Sequence, residues 1–284
     1  MKAAVLTLFA ALALGGCRDP DRIEIHTGEA MGTSYRIKTV GGVDFNRVGI
    51  GEMLAELDRD LSTWRDDSWA AEFNRAPAGT TMEMPESVVI LLEMSKRYHA
   101  QTDGRFDPTV GALIRVWGFG AWRDGWSGEP TDDEVAAARE ASGFDNIRVE
   151  GRRISKLHDR LMLDFSGIAK GYAVDRMGDL LRAAGCRDFI IDFGGDVLAS
   201  GHAPGKQGWT VGGPALERPV MLHDEALATS GSEHQFRGSY AHIIDPRTGR
   251  PVAAGPPVSA RASTCAKADA LATAGVIEAG ERAP

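Results

Sequence analysis

The stretch from Asp164 to Gly185 combines charged side chains with a turn that can bind a phosphate. Ser166 and Gly167 form a small turn after an apolar run, and a helix is expected directly after it. A helix N-terminus exposes backbone N–H groups beside the positive end of the helix dipole, which suits an anion. Lys170 could hold an anion, and Asp164 could hold a cation or a hydrogen-bond donor. The spacing matches neither a P-loop nor a dinucleotide fingerprint, so ordinary strand–turn–helix packing is an equally good interpretation.

The residues around this turn predict a strand followed by an amphipathic helix. The strand is expected over Leu161–Asp164 and the helix from Ala169. Apolar residues recur at positions 169, 173, 177, 180, 181 and 184, so one face of the helix should be buried. Gly185 follows the last of them, at the usual place for the glycine that ends a helix.

The composition is typical of a globular protein that does not bind nucleic acid. The chain has 284 residues and 43% of them are hydrophobic, which is enough for one large domain or two small ones. Its net charge of -8 argues against a partner bound through a phosphate backbone. We find no heptads, low-complexity tracts or internal repeats, and no segment after residue 20 is long and apolar enough to span a bilayer.

The first residues predict a targeting segment. Lys2 is followed by an apolar run that ends in LGGC at positions 14–17. This pattern resembles the signals of bacterial lipoproteins, so we expect removal of residues 1–16, acylation of Cys17 and a tether over 17–22. An ordinary signal peptide with an incidental cysteine is the alternative. The protein would then be anchored by lipid to the inner or outer membrane on the periplasmic side, an oxidising compartment.

Two cysteines remain in the part of the chain that is expected to fold, Cys186 and Cys265. Sequence alone cannot decide whether they pair. We favour two buried, unpaired thiols, because a free cysteine behaves as a small apolar residue and is among the most often buried residue types.

The rest of the chain alternates short strands and helices, which predicts an α+β fold. Capping-box residues Thr131 and Glu134 begin one short helix, and 121–130 should form a surface loop. The hydroxyl-rich segment 228–232 is expected to be a turn. No linker divides residues 23–284, so we predict one domain. Helices are expected over 46–61, over 86–100 and from Ala266, and strands over 23–27, 33–40, 146–150, 153–157, 189–193, 208–212, 219–223, 240–245 and 257–263.

Two local features have both a structural and a functional interpretation. Asp107 precedes Pro108, where an aspartate commonly caps the helix that follows. Gly194 and Gly195 end a buried strand, which indicates either backbone pressed against a ligand or a β-bulge.

Seven segments of the chain resemble, in the same order, those of the ApbE family of FAD:protein FMN transferases, and they cover nearly all of residues 24–275. The resemblance implies a single α+β domain with mixed, mainly antiparallel sheets flanked by helices, and not a Rossmann fold. The segments are AMGTSYRI (30–37), TDGRFDPTVGALIRVWGFG (102–120), LDFSGIAKGYAVDR (163–176), DFGGDV (192–197), ATSGS (228–232), HIIDPRTGRPV (242–252) and ADALATA (268–274).

The resemblance also implies a reaction. FAD would be cleaved at its pyrophosphate, FMN would pass to a Ser or Thr hydroxyl of an acceptor flavoprotein as a phosphoester, and AMP would leave. The implied acceptors are subunits of Rnf or sodium-pumping NADH:quinone oxidoreductase complexes. A Mg²⁺ ion would neutralise the pyrophosphate and polarise the phosphorus atom.

The resemblance assigns metal ligands on the last helix and on the turn of the Asp164 segment. Asp269 and Thr273 are four residues apart, so their oxygens lie on one helix face. Together with the carbonyl of Gly167 and phosphate oxygens, they would form the all-oxygen shell that Mg²⁺ prefers. Without the resemblance, the two helix residues are better interpreted as a solvated face.

The remaining assignments concern FAD and a base. His242 matches the family's histidine and can accept a proton at neutral pH, while Asp245 should lie on the opposite face of the strand, which argues against a His–Asp pair. Asp107 is expected near the adenine and Met31 against the flavin. The residues that match FAD-binding positions are Met31, Arg105, Phe106, Asp107, Asp164 and Lys170.

One departure and two alternative functions remain open. Relatives usually continue beyond the ADALATA segment, whereas this chain ends at Pro284, so we expect a shortened C-terminal end. The alternatives are a metal-dependent FAD pyrophosphatase that releases FMN and AMP, and a non-catalytic FAD-binding lipoprotein. The presence of His242, Asp269 and Thr273 argues against the second. Sequence does not separate the transferase from the pyrophosphatase, because they differ in how well water is excluded.

Overall fold

A computed structural model describes residues 21–126, 128–213, 216–231, 236–237 and 240–282. The predicted signal peptide, Cys17 and most of the tether lie outside these ranges. No helix within them is both long and apolar enough to cross a bilayer. The α-helices are α1 (Ile50–Leu61), α2 (Trp69–Arg75), α3 (Glu86–Gln101), α4 (Gly111–Val116), α5 (Asp132–Ala141), α6 (Ala169–Ala183) and α7 (Cys265–Arg282), and short 3-10 helices span Phe45–Arg47, Gly120–Gly125 and Phe144–Asn146.

The strands form one large sheet and three small ones. The large sheet has six strands in the order β1-β2-β6-β7-β10-β14, and all its pairings are antiparallel. The small sheets have the orders β11-β12-β13, β3-β5-β4 and β8-β9. The strands are β1 (Ile23–Ala30), β2 (Thr33–Val40), β3 (Thr81–Glu83), β4 (Ile147–Glu150), β5 (Arg153–Lys156), β6 (Phe189–Phe193), β7 (Asp196–Ser200), β8 (Trp209–Val211), β9 (Val220–Leu222), β10 (Glu225–Ser230), β11 (Phe236–Arg237), β12 (Tyr240–Asp245), β13 (Arg250–Ala253) and β14 (Val258–Ala262).

The main core lies between the six-stranded sheet and the helices α1, α3, α6 and α7. Ile37 and Ile191 on the sheet are fully buried in the same cluster as Met177 on α6. The opposite face of the sheet is covered by the β8–β9 hairpin, where Trp209 and Leu222 pack with residues of β7. Because both faces are covered, every residue of β7 is buried. The α+β fold with mainly antiparallel sheets is therefore confirmed; the one parallel contact among the described residues is an isolated bridge between Val110 and Met162.

A second, smaller core joins α4, α5 and β12. Trp117 and Leu113 pack with Val135 of α5 and Ile244 of β12. The indole Nε1–H of Trp117 donates to the carbonyl of Gly249 at 2.9 Å. This cluster fixes β12 beside α4.

The segment Leu161–Asp164 is not a strand, so that prediction is wrong. Its backbone binds side chains and, at Met162 and Asp164, the backbone of residues 108–111, but it does not pair with a strand. The Asn74 amide accepts from Leu163 N at 2.7 Å and donates to Leu163 O at 2.9 Å. The buried ammonium of Lys156 donates to Leu161 O at 3.1 Å and to the carbonyls of Asn74 and Asp159. An apolar run cannot distinguish this arrangement from a buried strand, because both bury the same side chains.

One predicted helix boundary and one predicted turn are also wrong. The helix expected over 46–61 begins at Ile50, because Gly49 has φ +74°, a left-handed conformation that separates α1 from the preceding 3-10 turn. The segment 228–232 was expected to be a turn, but its residues 228–230 belong to β10 and pair with β14. Strand β1 extends to Ala30, beyond the predicted end at residue 27. Strand β3 and helix α2 were not predicted.

The helix after the central turn is confirmed, and so is its ending at Gly185, where φ is +84°. Its buried face is wider than the apolar pattern predicted, since Gly171 and Gly178 are also buried. This follows because α6 packs against the sheet on one side and against α7 on the other. Cys186 and Cys265 are both buried and free, as expected.

Two tight hairpin turns close neighbouring pairs of strands. Gly194 and Gly195 connect β6 to β7 with φ +60° and +91°. Met31 and Gly32 connect β1 to β2 with φ +47° and +75°. Positive φ at both central residues is the pattern of a type I′ turn, which matches the twist of the flanking strands. The two glycines therefore form a turn and not the bulge that was the alternative interpretation.

We predict that Asn74→Ala lowers the free energy of unfolding by about 2 to 3 kcal/mol, because two buried backbone groups of Leu163 lose their partner. Urea unfolding monitored by circular dichroism measures this change. Asn46→Ala, at an exposed position, serves as the control and should have little effect. Equal losses in the two variants would contradict the role assigned to Asn74.

Candidate functional site

A cleft of about 1110 Å³ opens at the end of the sheet where the two hairpin turns lie. This volume is at the upper end of the usual range for small-molecule sites. Every site residue predicted from the sequence lines it, although these residues come from separate parts of the chain: Met31, Arg105, Phe106, Asp107, Asp164, Gly167, Lys170, His242, Asp269 and Thr273.

The turn before α6 forms one wall of the cleft. Asp164 Oδ1 accepts from Ser166 N at 2.8 Å, and Asp164 N donates to Pro108 O at 2.7 Å. These bonds hold the turn in place, so that Ser166, Gly167 and the first turn of α6 face the cleft.

A buried cluster of three charged side chains lies behind this wall. The Lys170 ammonium contacts Asp196 Oδ2 at 2.6 Å, and the Asp196 side chain is 1% exposed. Asp269 is 3% exposed, and its Oδ2 accepts from Gly171 N at 3.1 Å. Burial opposes the charge on Lys170, but the carboxylates of Asp269 and Asp196 outweigh it and raise the pKa of the ammonium. Lys170 is therefore charged and fixed at the edge of the cleft.

Asp196 was not predicted as a site residue. Burial, followed by repulsion from Asp269, raises its pKa to about 7, although Lys170 opposes the shift. Its Oδ1 is buried and has no hydrogen-bond partner among the described residues. The sequence carried a signal, because Asp196 follows Gly194 and Gly195, but that signal only indicated a ligand or a bulge. Asp196 does not line the cleft itself and acts as a positioning residue for Lys170.

Two of the predicted metal ligands, Gly167 and Thr273, lie close together, and Asp269 lines the same cleft one helical turn before Thr273. Thr273 Oγ1 lies 3.1 Å from the position that a Cβ on Gly167 would occupy. A hydroxyl–hydroxyl hydrogen bond of 3.2 Å joins Thr273 to Ser230 on β10. The first turn of α7 is held by Asp175 of α6, whose carboxylate accepts from Cys265 N at 2.7 Å and Ala266 N at 2.9 Å.

This donor set fits magnesium. The described residues contain no group of three or more His, Cys, Asp or Glu side chains that could hold a metal. The protein's share of the site would therefore be one carboxylate, one hydroxyl and one carbonyl, all of them oxygen ligands. Magnesium usually binds through one or two carboxylates and keeps positions for water and phosphate oxygens, which this arrangement allows.

Asp107 and Arg105 lie at another side of the cleft and already have protein partners. Asp107 Oδ1 accepts from Thr109 N at 2.8 Å and Thr109 Oγ1 at 2.6 Å, and its Oδ2 lies 3.4 Å from His99 Nδ1. Burial raises the pKa of Asp107, while the bonds from Thr109 oppose the shift. Asp107 does not cap α4, which begins only at Gly111.

Arg105 is tied to the last helix. One of its terminal nitrogens contacts Glu281 Oε2 at 2.9 Å, and Glu281 also pairs with Arg247. Arg247 in turn forms a two-pronged pair with Asp245, with both contacts at 2.9 Å. The two arginines lower the pKa of Glu281 to about 2. Asp245 is therefore engaged by Arg247.

His242 and Met31 approach the cleft from different sheets. His242 lies on β12 where the register with β13 shifts between Tyr240 and Ile244. Such irregularities often redirect a side chain toward an active site. Met31 occupies the left-handed position of its hairpin turn, which directs it to the mouth of the cleft.

Sequence reasoning also missed the rim of the cleft. Trp64 follows α1 and is 56% exposed, and the Arg123 guanidinium lies 5.2 Å from the centre of its ring. Both line the cleft. Neither position showed a periodic pattern or motif: Trp64 lies in the loop after α1, and Arg123 lies in the 3-10 helix Gly120–Gly125, inside the segment predicted to be a surface loop. Their meeting depends on the tertiary fold.

The chain is similar to known proteins over most of its length. The profile of the ApbE family matches residues 31–284. The protein named FAD:protein FMN transferase from Vibrio cholerae is 32% identical over 305 residues, which cover 99% of this chain and 89% of the relative. The protein of the same name from Chlamydia trachomatis is 30% identical over 287 residues, which cover 96% of this chain and 89% of the relative.

Solved structures show the same fold. The apo form of the Pseudomonas stutzeri flavinyl transferase ApbE superposes with a TM-score of 0.80 at 34% identity, over 89% of this chain and 84% of that chain. A variant of the Vibrio cholerae flavin transferase ApbE superposes with a TM-score of 0.82 at 31% identity, over 91% of this chain and 89% of that chain.

We predict that Asp196→Asn flattens the pH dependence of stability. The folded pKa of Asp196 is raised from 3.8 to about 7, so between these values the folded protein binds more protons than the unfolded chain. The free energy of unfolding should therefore fall as pH rises from about 4 to about 7, by at most about 4 kcal/mol from this group, and asparagine cannot contribute to the fall.

Urea unfolding at a series of pH values, in EDTA so that no cation binds beside Asp269, measures the effect. Asp192→Asn, at an exposed neighbouring position, is the matched control. Identical pH profiles for wild type and Asp196→Asn would show that the buried carboxyl does not titrate in this range.

Proposed function

Because this chain belongs to the ApbE family, whose curated relatives are enzymes named FAD:protein FMN transferase, we propose that it transfers FMN from FAD to a Ser or Thr hydroxyl of an acceptor flavoprotein. The reaction breaks the pyrophosphate bond of FAD, forms a phosphoester with the acceptor and releases AMP. Magnesium is the proposed cofactor.

One observation carries the proposal. The residues that the family resemblance assigns to FAD, to the metal and to the base all line a single cleft, although they come from five separated segments of the chain. A chance resemblance in short motifs would not bring these side chains together. The size of the cleft also suits an extended dinucleotide.

The N-terminal turn of α6 and Lys170 are proposed to bind the pyrophosphate. The positive end of the helix dipole favours an anion, and the Lys170 ammonium adds a fixed charge. Asp196 holds this ammonium in place, so little reorganisation is needed when charge develops on the phosphate oxygens.

Asp269, Thr273 and the Gly167 carbonyl are proposed to hold magnesium. When bound, the ion would neutralise the pyrophosphate and make its phosphorus more electrophilic. Ser230 fixes the hydroxyl of Thr273, and Gly171 N fixes the carboxylate of Asp269. Bonds from neighbouring groups to the ligands of a metal commonly tune its affinity.

His242 is proposed to accept the proton of the acceptor hydroxyl as that oxygen attacks phosphorus. General-base catalysis needs a group within hydrogen-bond reach of the proton, and His242 lies on the wall of the same cleft. The flavin would lie beside Met31, and the adenine near Asp107.

The cellular setting rests on sequence alone. We propose that the protein is anchored by a lipid on Cys17 at the periplasmic side of the inner or outer membrane. There it would modify membrane flavoproteins such as the Rnf and sodium-pumping NADH:quinone oxidoreductase subunits. The LGGC pattern at positions 14–17 supports the anchor.

Mass spectrometry of an acceptor domain, incubated with the purified protein, FAD and Mg²⁺, tests the proposal. We expect a mass gain equal to one FMN phosphoester on a Ser or Thr, with no gain in EDTA. His242→Ala should slow the transfer about 100-fold to 10,000-fold, and Asp269→Ala should abolish it at ordinary magnesium concentrations. His158→Ala, outside the cleft, should leave it unchanged.

Release of AMP without any mass gain would instead identify an FAD pyrophosphatase, in which water replaces the hydroxyl. Intact FAD after incubation would identify a flavin-binding protein without catalysis. Either result would show that the protein does not transfer FMN to the acceptor used. The same result with a panel of acceptor domains would reject the transferase function.

We further predict that Thr273→Val raises the magnesium concentration needed for half-maximal activity by about tenfold or more, because a ligand oxygen is replaced by a methyl group. Thr273→Ser keeps the hydroxyl and should resemble wild type. Initial rates measured against magnesium concentration distinguish the variants. An unchanged magnesium requirement in Thr273→Val would exclude this hydroxyl from the metal site.

A further inference from the structure

A pair of histidines lies at the end of the central strands opposite the cleft. His202 follows β7 and His223 precedes β10, and their ring centres are 4.9 Å apart with a tilt of 58°. The β6–β7 turn at Gly194 and Gly195 lines the cleft, so the other end of these five-residue strands is about 17 Å away. None of the residues assigned to FAD transfer lies at this end.

Each histidine has a carboxylate beside its Nδ1. His202 Nδ1 lies 3.2 Å from Asp188 Oδ1, and His223 Nδ1 lies 3.4 Å from Asp224 Oδ2. In a neutral imidazole one nitrogen donates and the other accepts. A proton on Nδ1 that points to the carboxylate leaves Nε2 as the acceptor on both rings. Metal-binding histidines in proteins almost always have such a carboxylate or carbonyl on the other nitrogen.

The carboxylates are themselves held by the backbone. Asp188 Oδ1 accepts from His202 N at 2.8 Å, and Asp224 Oδ1 accepts from Gly201 N at 2.9 Å. Asp224 and Gly201 have φ +50° and +58°, and Gly201 leaves no room for a Cβ beside Asp188. A non-glycine residue in the left-handed region costs free energy, and such strain is concentrated at functional sites.

The spacing of the rings suits one shared metal ion. Metal–nitrogen distances of about 2.0 to 2.1 Å put each ring centre about 3.2 Å from the ion, so ligand angles of 90° to 109° separate the centres by about 4.5 to 5.2 Å. The observed separation of 4.9 Å lies within this interval. The side chains of His202 and His223 are 54% and 47% exposed, so an ion and its waters can reach them.

We propose that His202 and His223 form a binding site for a divalent transition-metal ion of the zinc, nickel or copper class, with water completing the coordination. Imidazole ligands favour these ions over magnesium, which prefers oxygen. The two acidic partners add a local negative charge that attracts a cation. The bound ion would link the loop after β7 to the loop before β10.

Isothermal titration calorimetry of the EDTA-treated, dialysed protein with zinc chloride tests the proposal. Excess magnesium chloride is kept present to compete at the predicted magnesium site. We expect a zinc site whose affinity falls more than about tenfold in His202→Gln and in His223→Gln, and about tenfold in Asp224→Asn. His158→Gln, a control at a histidine whose Nδ1 accepts from Arg160 N, and Asp269→Ala, a control for the cleft, should bind zinc as wild type does.

Zinc should also raise the thermal midpoint of wild type and Asp269→Ala but not of His202→Gln, since a ligand that binds only the folded state stabilises it. Midpoints measured in EDTA show that the variants are folded. Zinc affinity that is unchanged in both histidine variants, or the absence of saturable zinc binding to wild type, would overturn the proposal. Loss of zinc binding in Asp269→Ala alone would place the ion in the cleft and overturn it as well.

Discussion

The close crossing of α6 and α7 at Gly171 sets the geometry of the whole cleft. A Cβ at this position would lie 2.5 Å from the carbonyl oxygen of Cys265, so only glycine allows the helices to approach this far. The N–H of Gly171 binds the carboxylate of Asp269, and Asp175 one turn later holds the first N–H groups of α7. The turn proposed to bind phosphate on one helix and the proposed metal ligands on the other are thereby held in one rigid unit. The buried pair of Lys170 and Asp196 then ties this unit to the sheet.

Sequence predicted those parts of the fold in which a local pattern decides the structure. The amphipathic spacing and Gly185 gave α6, and the capping box at Thr131 gave α5, because caps and helical periodicity act within one or two turns. The strand predicted over Leu161–Asp164 is wrong because Leu163 binds the side chain of Asn74, 89 residues away, and Leu161 binds the ammonium of Lys156. No local pattern reports that a side chain takes the place of a neighbouring strand.

Local sequence patterns did not identify most of the candidate site. Its ten residues were found through resemblance to a family, and by themselves most had an equally good structural interpretation. Asp196 was missed because its importance comes from burial beside two other charges, which a sequence does not show. Trp64 and Arg123 were missed because they come from separate segments that meet only in the tertiary fold. Motifs therefore located the candidate site residues, while the residues that fix or frame them required the tertiary structure.

Met31 has a consequence for attempts to engineer this protein. It holds φ +47° in a turn where Gly or Asn would be relaxed, and a residue such as methionine loses about 1 kcal/mol there. Directed evolution for heat resistance would favour Met31→Asn or Met31→Gly, since both relieve this strain. The same substitutions would remove the thioether from the mouth of the cleft, where we expect the flavin. Selection for thermostability alone would therefore tend to erode substrate recognition, and a screen on this scaffold should be run with turnover as a second criterion.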